Sequence, residues 1–298
     1  IINKKISAER TFTYHEIPLE KLKAIKKLAP GSTLNDIVMT ICSEVVMQFL
    51  KATDSKSPTR SLIALSPIAV RSKRIDSPTG SELSAMLISL ATTEPNLAVR
   101  LKQIHNNASA SKVYGQAISA SRLTDLMPSA MLGLAIRVYT KFQLAQRHKP
   151  LFNVPVANIP GSDSYLYYHG ARVDYQFATA PLFDGIGLVI MVMSYGEKVT
   201  FTFTSCPDVV AHPEVLKNGC NKALSLLESH LQEIDFSSVE VTSEQEGTAN
   251  NNGLAAIVGD VTGLFSGVFS GVFKSKNKAK ENGNNKKSSK NQPRKAAD

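Results

Sequence analysis

A chain of 298 residues that is 43% hydrophobic can bury a sizeable core as one large domain or two modest ones. Its formal charge of +9 would suit a nucleic-acid binder, but residues 274–298 alone carry +7, so the body is close to neutral and nucleic acid is excluded as its partner. Three cysteines (Cys42, Cys206 and Cys220) without CxxC spacing exclude a disulfide scaffold and predict a reducing, cytoplasmic compartment.

The chain opens on Ile1 with no signal-peptide architecture, which reads as a fragment or a processed product. The alternation of residues 10–17 predicts a strand. Leu19, Leu22, Ile25 and Leu28 then fall at helical spacing, and Pro30-Gly31 ends that helix. A second helix, apolar on most of its surface and therefore buried, is predicted over 32–50 with Ser32 or Thr33 as N-cap. Residues 60–71 and 82–92 read as strands, 97–119 and 128–146 as helices. The stretches 151–161, 165–177, 185–196 and 198–206 read as further strands, and 213–233 as a closing helix. Strands and helices without strict alternation predict an α/β layered domain with a mixed sheet over residues 1–236.

Self-contained catalytic motifs are absent from the sequence. The histidines His15, His105, His148, His169, His212 and His230 form no HxxxH or HExxH pair, so no metal site is predicted. No P-loop, dinucleotide fingerprint or GxSxG elbow occurs either. Three short stretches stand out instead. "TLNDIVMT" places Asn35 and Asp36 in the first turn of the buried helix, where such side chains ordinarily satisfy backbone N–H groups; the sharper reading has Asn35 offering its amide to a reacting oxygen. "NVPVANIPGS" brackets Asn158 between Pro155 and Pro160. The prolines predict an edge or terminating strand, and Gly161 either makes a plain turn or lets a ligand approach the backbone. Asp184-Gly185 and Tyr195-Gly196-Glu197 predict tight turns around an apolar strand.

Taken in order, these stretches resemble the C-terminal half of the wax ester synthase/diacylglycerol acyltransferase family. The resemblance runs through "TLNDIVMT", "ALSPIAVRSKR" (ending its strand at Arg71), "TGSELSAMLISLATTEPNLAVRLKQI", "VANIPGS" and "PLFDGIGLVIMVMSYGEKVTF", and covers about Asn3 to Leu231. The chain departs from the family pattern at Ser81, Ala157 and Ser162.

The resemblance implies a chloramphenicol-acetyltransferase-like fold, in which two similar halves enclose a solvent channel. It also implies transfer of a fatty acyl group from acyl-CoA, a substrate rather than a cofactor, to a long-chain alcohol or a diacylglycerol. The family's general base is the second His of HHxxxDG in the preceding half, and no HxxxD spacing exists here. This chain alone is therefore expected to be inactive, with the N-terminal half as its partner. Asn35 is the candidate oxyanion donor and Asp36 holds the helix start. Arg71 pairs with Asp36 or another carboxylate, or meets CoA phosphates. Asn158, Pro160, Gly161, Asp184 and Gly185 are expected to shape or support the channel. The alternatives are a lipid-surface protein that keeps the fold without the chemistry, and another acyltransferase of the superfamily, such as a condensation-type domain.

Residues 237–253 read as a polar linker. Residues 254–273 carry glycine at every fourth position, and 274–298 read as a disordered basic tail. On a helix, Phe265, Phe269 and Phe273 would line one side beside Lys274, Lys276 and Lys278. That arrangement suits peripheral contact with an anionic membrane or a lipid-droplet surface. A spanning helix is disfavoured by Asp260 and the glycines, and a plain linker stands beside the interfacial reading.

Overall fold

The computed structural model describes residues 2–53, 58–70, 82–115, 150 and 152–240. In chain order these form β1 (Thr11–Pro18), α1 (Leu19–Leu28), α2 (Leu34–Ala52), β2 (Ile63–Val70), β3 (Glu82–Ser89) and α3 (Leu97–Gly115). Then follow β4 (Val154–Ile159), the short pair β5 (Tyr167–Tyr168) and β6 (Ala171–Arg172), β7 (Leu188–Tyr195), β8 (Lys198–Ser205), α4 (Glu214–Glu233) and a 3-10 turn at Phe236–Ser238.

The six long strands make one sheet in the order β1-β8-β7-β4-β2-β3. β4 runs parallel to both β7 and β2, and the remaining neighbours are antiparallel, which gives the mixed sheet expected. The predicted turns occur as read. Gly185 and Gly196 both have positive φ, and Tyr195 pairs with Lys198 across the β7–β8 turn.

Two strand expectations are corrected. Of the two readings of the prolines the edge fails and the ending holds: β4 is an interior strand despite Pro155, and it stops at Ile159, immediately before Pro160-Gly161. Its pairing with β7 begins only at Val156, so the missing proline N–H falls where the β7 ladder has not started. Residues 165–177 are not one strand. β5 and β6 close over His169-Gly170, both with positive φ, and the chain then leaves the hairpin unpaired.

Residue alternation sorts the sheet into two faces. Ile17, Val199, Phe201, Phe203, Ile190 and Val192 share the face beneath the helices and are buried. Against it lies α2, buried on nearly every side from Asp36 to Leu50 because α1, α3 and α4 also pack on it. The apolar composition that predicted a buried helix is thus explained by neighbours all round.

Candidate functional site

The site grows from the first turn of α2. Thr33 is the N-cap: its Oγ1 accepts the Asp36 N–H at 3.2 Å, and Asp36 Oδ2 accepts the Thr33 N–H at 2.8 Å. This reciprocal capping box satisfies two otherwise orphaned donors. Asp36 Oδ2 also faces His105 Nδ1 on α3 at 2.8 Å. The carboxylate is buried while the imidazole is about one-third exposed (31%), so His105 ties α3 to the start of α2 with its outer edge towards solvent.

Asn35, one residue earlier, reaches across to the sheet. The parallel register Asn158↔Val192 puts Asn158 on the helix-bearing face near the end of β4. Its Nδ2 donates to Asn35 Oδ1 at 3.1 Å. An amide has one acceptor end and one donor end, so a partner on Oδ1 turns the Asn35 NH2 the other way. The pair is half-buried, and it presents an oriented donor where a helix start meets a strand end. Such a group can hydrogen-bond a developing oxyanion without reorganising.

Beneath this turn a buried ion pair locks α2 to α3. Arg100 Nη1 lies 2.8 Å from Glu44 Oε2, and Arg100 Nε donates to the Glu94 carbonyl at 2.8 Å. Gln48 Nε2 donates to Glu44 Oε1 at 3.1 Å. Burial lowers the Arg100 pKa and Glu44 opposes that shift. Both helices that carry the site are therefore held by a satisfied polar cluster.

The remaining sequence candidates divide by position. Pro160 and Gly161 come just after Asn158, beyond Ile159 at the end of β4. What comes close to Gly161 is the β7 backbone: a Cβ there would run into the Ser194 carbonyl oxygen, and the Gly161 N–H donates to Ser194 Oγ at 3.0 Å. Asp184 and Gly185 sit at the other end of β4. Asp184 Oδ1 accepts the Ile6 N–H at 3.2 Å, and Asn3 Nδ2 bridges the carbonyls of Gly185 at 2.8 Å and Asn153 at 3.0 Å. With about 3.3 Å per residue along a strand, this staple stands roughly 15–20 Å from Asn158. Arg71, Phe265, Phe269, Phe273, Lys274, Lys276 and Lys278 lie outside the described residues.

Sequence reading missed His105 and Asn158's partnership with Asn35. His105 directly follows the buried α3 stripe of Leu97, Leu101 and Ile104, but its partner is 69 residues away and no local spacing announces it. Among the described residues no cluster of His, Cys, Asp and Glu could hold a metal ion, and no helix is long and apolar enough to cross a membrane.

The family model of the WS/DGAT C-terminal domain matches residues 79–228. A Mycobacterium tuberculosis protein named as a diacylglycerol O-acyltransferase is 30% identical over 241 residues, which are 79% of this chain and 50% of that protein. The O-acyltransferase WSD of Acinetobacter baylyi is 25% identical over 228 residues, 76% of this chain and 48% of that one. Among solved structures, the wax ester synthase/diacylglycerol acyltransferase from Marinobacter aquaeolei VT8 shares the fold with a TM-score of 0.61 at 23% identity, covering 78% of this chain and 51% of that one. The chain spans about half the length of the curated relatives it matches.

Proposed function

Because the chain belongs to the wax ester synthase/diacylglycerol acyltransferase family and carries its C-terminal domain, we propose that it forms one half of an acyl-CoA-dependent O-acyltransferase. The acceptor is a long-chain alcohol or a diacylglycerol. The observation that carries this reading is the Asn35–Asn158 pair, an amide donor with its orientation fixed at 3.1 Å on a rigid helix start.

Attack of an alcohol on a thioester needs a base at the hydroxyl and donors for the tetrahedral oxyanion. Asn35 supplies a donor, Asn158 orients it, and Asp36 with His105 holds the turn that carries it. The base comes from the preceding half, since no HxxxD spacing occurs in this sequence. The long distance from Asn158 to the Asp184-Gly185 staple makes the staple a structural anchor for the N-terminal residues rather than part of the reacting centre.

The test is thiol release from palmitoyl-CoA with hexadecanol or 1,2-diacylglycerol as acceptor. The expected result is turnover only when the preceding half is present, reduced ten-fold or more by Asn35→Ala. Turnover by this chain alone would overturn the division of labour. An Asn35→Ala enzyme with full rate and normal folding would return Asn35 to a helix-start role.

A further inference from the structure

Helix α1 borders the end of the sheet where Asn35 and Asn158 meet. Its first amide, Leu19 N–H, donates to the Glu197 carbonyl in the β7–β8 turn at 2.8 Å. That turn lies beside the end of β4, since the Gly196 N–H donates to the Ser162 carbonyl at 2.9 Å. The other end of α1 leads through Ala29–Ser32 straight into the Thr33 cap of α2. A helix of 10 residues is about 15 Å long, so α1 runs along this rim from the sheet corner to the helix start that carries Asn35.

The residues of α1 divide by face. Leu22 and Ile25 are buried, whereas Lys21, Lys23, Lys26 and Lys27 are exposed. Against the single Glu20 they give α1 a net charge of +3, while residues 1–273 as a whole carry only +2. Lys23, Lys26 and Lys27 stand at i, i+3 and i+4, which makes them neighbours on one side of the helix. Like charges at that spacing repel, and none of the three forms an ion pair with a carboxylate among the described residues. The helix dipole favours Lys26 and Lys27 in the last turn, but Lys23 lies outside it. Lys198 on the same rim, by contrast, is paired with Glu16 at 3.2 Å. A cluster of unpaired lysines beside the oriented amide is suited to an anionic group.

We propose that Lys23, Lys26 and Lys27 hold the phosphates at the nucleotide end of acyl-CoA while the pantetheine arm carries the thioester to Asn35. The inference rests on the acyltransferase-half reading above. A thioester at Asn35 leaves the 3′-phosphate and diphosphate of CoA at the rim, because burying such charges without partners is costly. Lys27 and Asn35 are close enough for one substrate to meet both. Even a fully extended chain from 27 to 35 spans roughly 26–29 Å, and the turn in which Ser32 N–H donates to the Ala29 carbonyl shortens it. The neighbouring side chains favour the nucleotide over a lipid headgroup. Leu19, Leu22 and Ile25 pack into the core, and Leu28 falls about 100° or more round the helix from each of the three lysines. The lysine side thus offers no large apolar residue to enter a bilayer.

The test compares palmitoyl-CoA with S-palmitoyl-pantetheine, which lacks the nucleotide, using hexadecanol as acceptor and the enzyme containing both halves. Lys23→Gln, Lys26→Gln and Lys27→Gln together keep the helix propensity. They should raise KM for palmitoyl-CoA about tenfold at unchanged kcat and leave KM for the pantetheine thioester unchanged. Lys51→Gln, in the last turn of α2, should change neither. Lys23→Glu alone should raise the palmitoyl-CoA KM about threefold and serves if the triple variant misfolds. An unchanged KM, or an equal rise with both thioesters, overturns the proposal. So does a triple variant that loses only its sedimentation with phosphatidylglycerol vesicles, since the lysines would then serve a lipid surface. Binding is also read without turnover: CoA itself, followed by calorimetry, should bind the triple variant about tenfold more weakly. CoA held by the lysines in an enzyme that transfers no acyl group refutes the functional reading alone, and acyl transfer with a KM indifferent to the lysines refutes this one alone.

Discussion

Replacing Asn158 should act on catalysis through the orientation of Asn35, and the size of the effect follows from hydrogen-bond bookkeeping. Asn158 Nδ2 donates to Asn35 Oδ1 at 3.1 Å, so the Asn35 NH2 faces the other way. In Asn158→Ala the orienting bond disappears and the two amide orientations become about equally populated, which lowers the rate roughly two-fold. In Asn158→Asp the partner becomes a carboxylate that only accepts, so the Asn35 amide flips to donate towards it. A hydrogen bond to a charged group contributes about 1.5–3 kcal/mol, and about 1.4 kcal/mol is a factor of ten, so the productive orientation falls by about ten- to a hundredfold. The assay is the kcat for thiol release from palmitoyl-CoA with hexadecanol, measured on the enzyme containing both halves, with circular dichroism as a folding check. In an Asn35→Ala background the same Asn158→Asp change should cost less than about two-fold, because no amide remains to flip. An Asn158→Ala loss as large as that of Asn158→Asp, or an undiminished Asn158→Asp loss without Asn35, would refute the orienting role.

Glu44→Ala should destabilise the chain by about 3–5 kcal/mol in urea denaturation, because the buried Arg100 guanidinium is left without its carboxylate; Asp174→Ala at the exposed Arg172 pair should leave the midpoint unchanged. The three thiols are free and buried, and burial raises Cys42 and pushes Cys220 from 9.0 up to about 12. The folded state therefore keeps protons that the unfolded chain releases, so stability should fall as pH rises from about 9 towards 12, and a thiol reagent at pH 8 should modify Cys42 and Cys220 only on unfolding. A thiol that reacts rapidly in the native chain would contradict their burial.

Much of the framework was legible locally. Alternation, 3.6-residue spacing and apolar runs located β1, α1, α2, β7, β8 and α4 to within a few residues: α1 and α4 bury one stripe each, whereas α2 and β8 are buried on nearly every side and show as apolar runs. The Thr33–Asp36 box and the turns at Gly185 and Gly196 are also local chemistry. The failures share a cause. The prolines left an edge and an ending both open, and the edge reading failed because sequence cannot show that the β7 ladder starts one residue after Pro155. The aromatic run 165–177 resembled a strand because its composition suits one, yet the partner such a strand requires is not among the described residues.

What the sequence determined by itself is the class of fold, the family motifs and the absence of an HxxxD base, since these depend on residue identity and short spacing. What only the tertiary structure decided is which of those residues meet. Asn35 joins Asn158 across 123 positions and Asp36 joins His105 across 69, whereas Asp184, equally prominent as a motif, goes to the opposite end of β4. Contacts of that range are set by strand order and helix packing, which no local periodicity encodes.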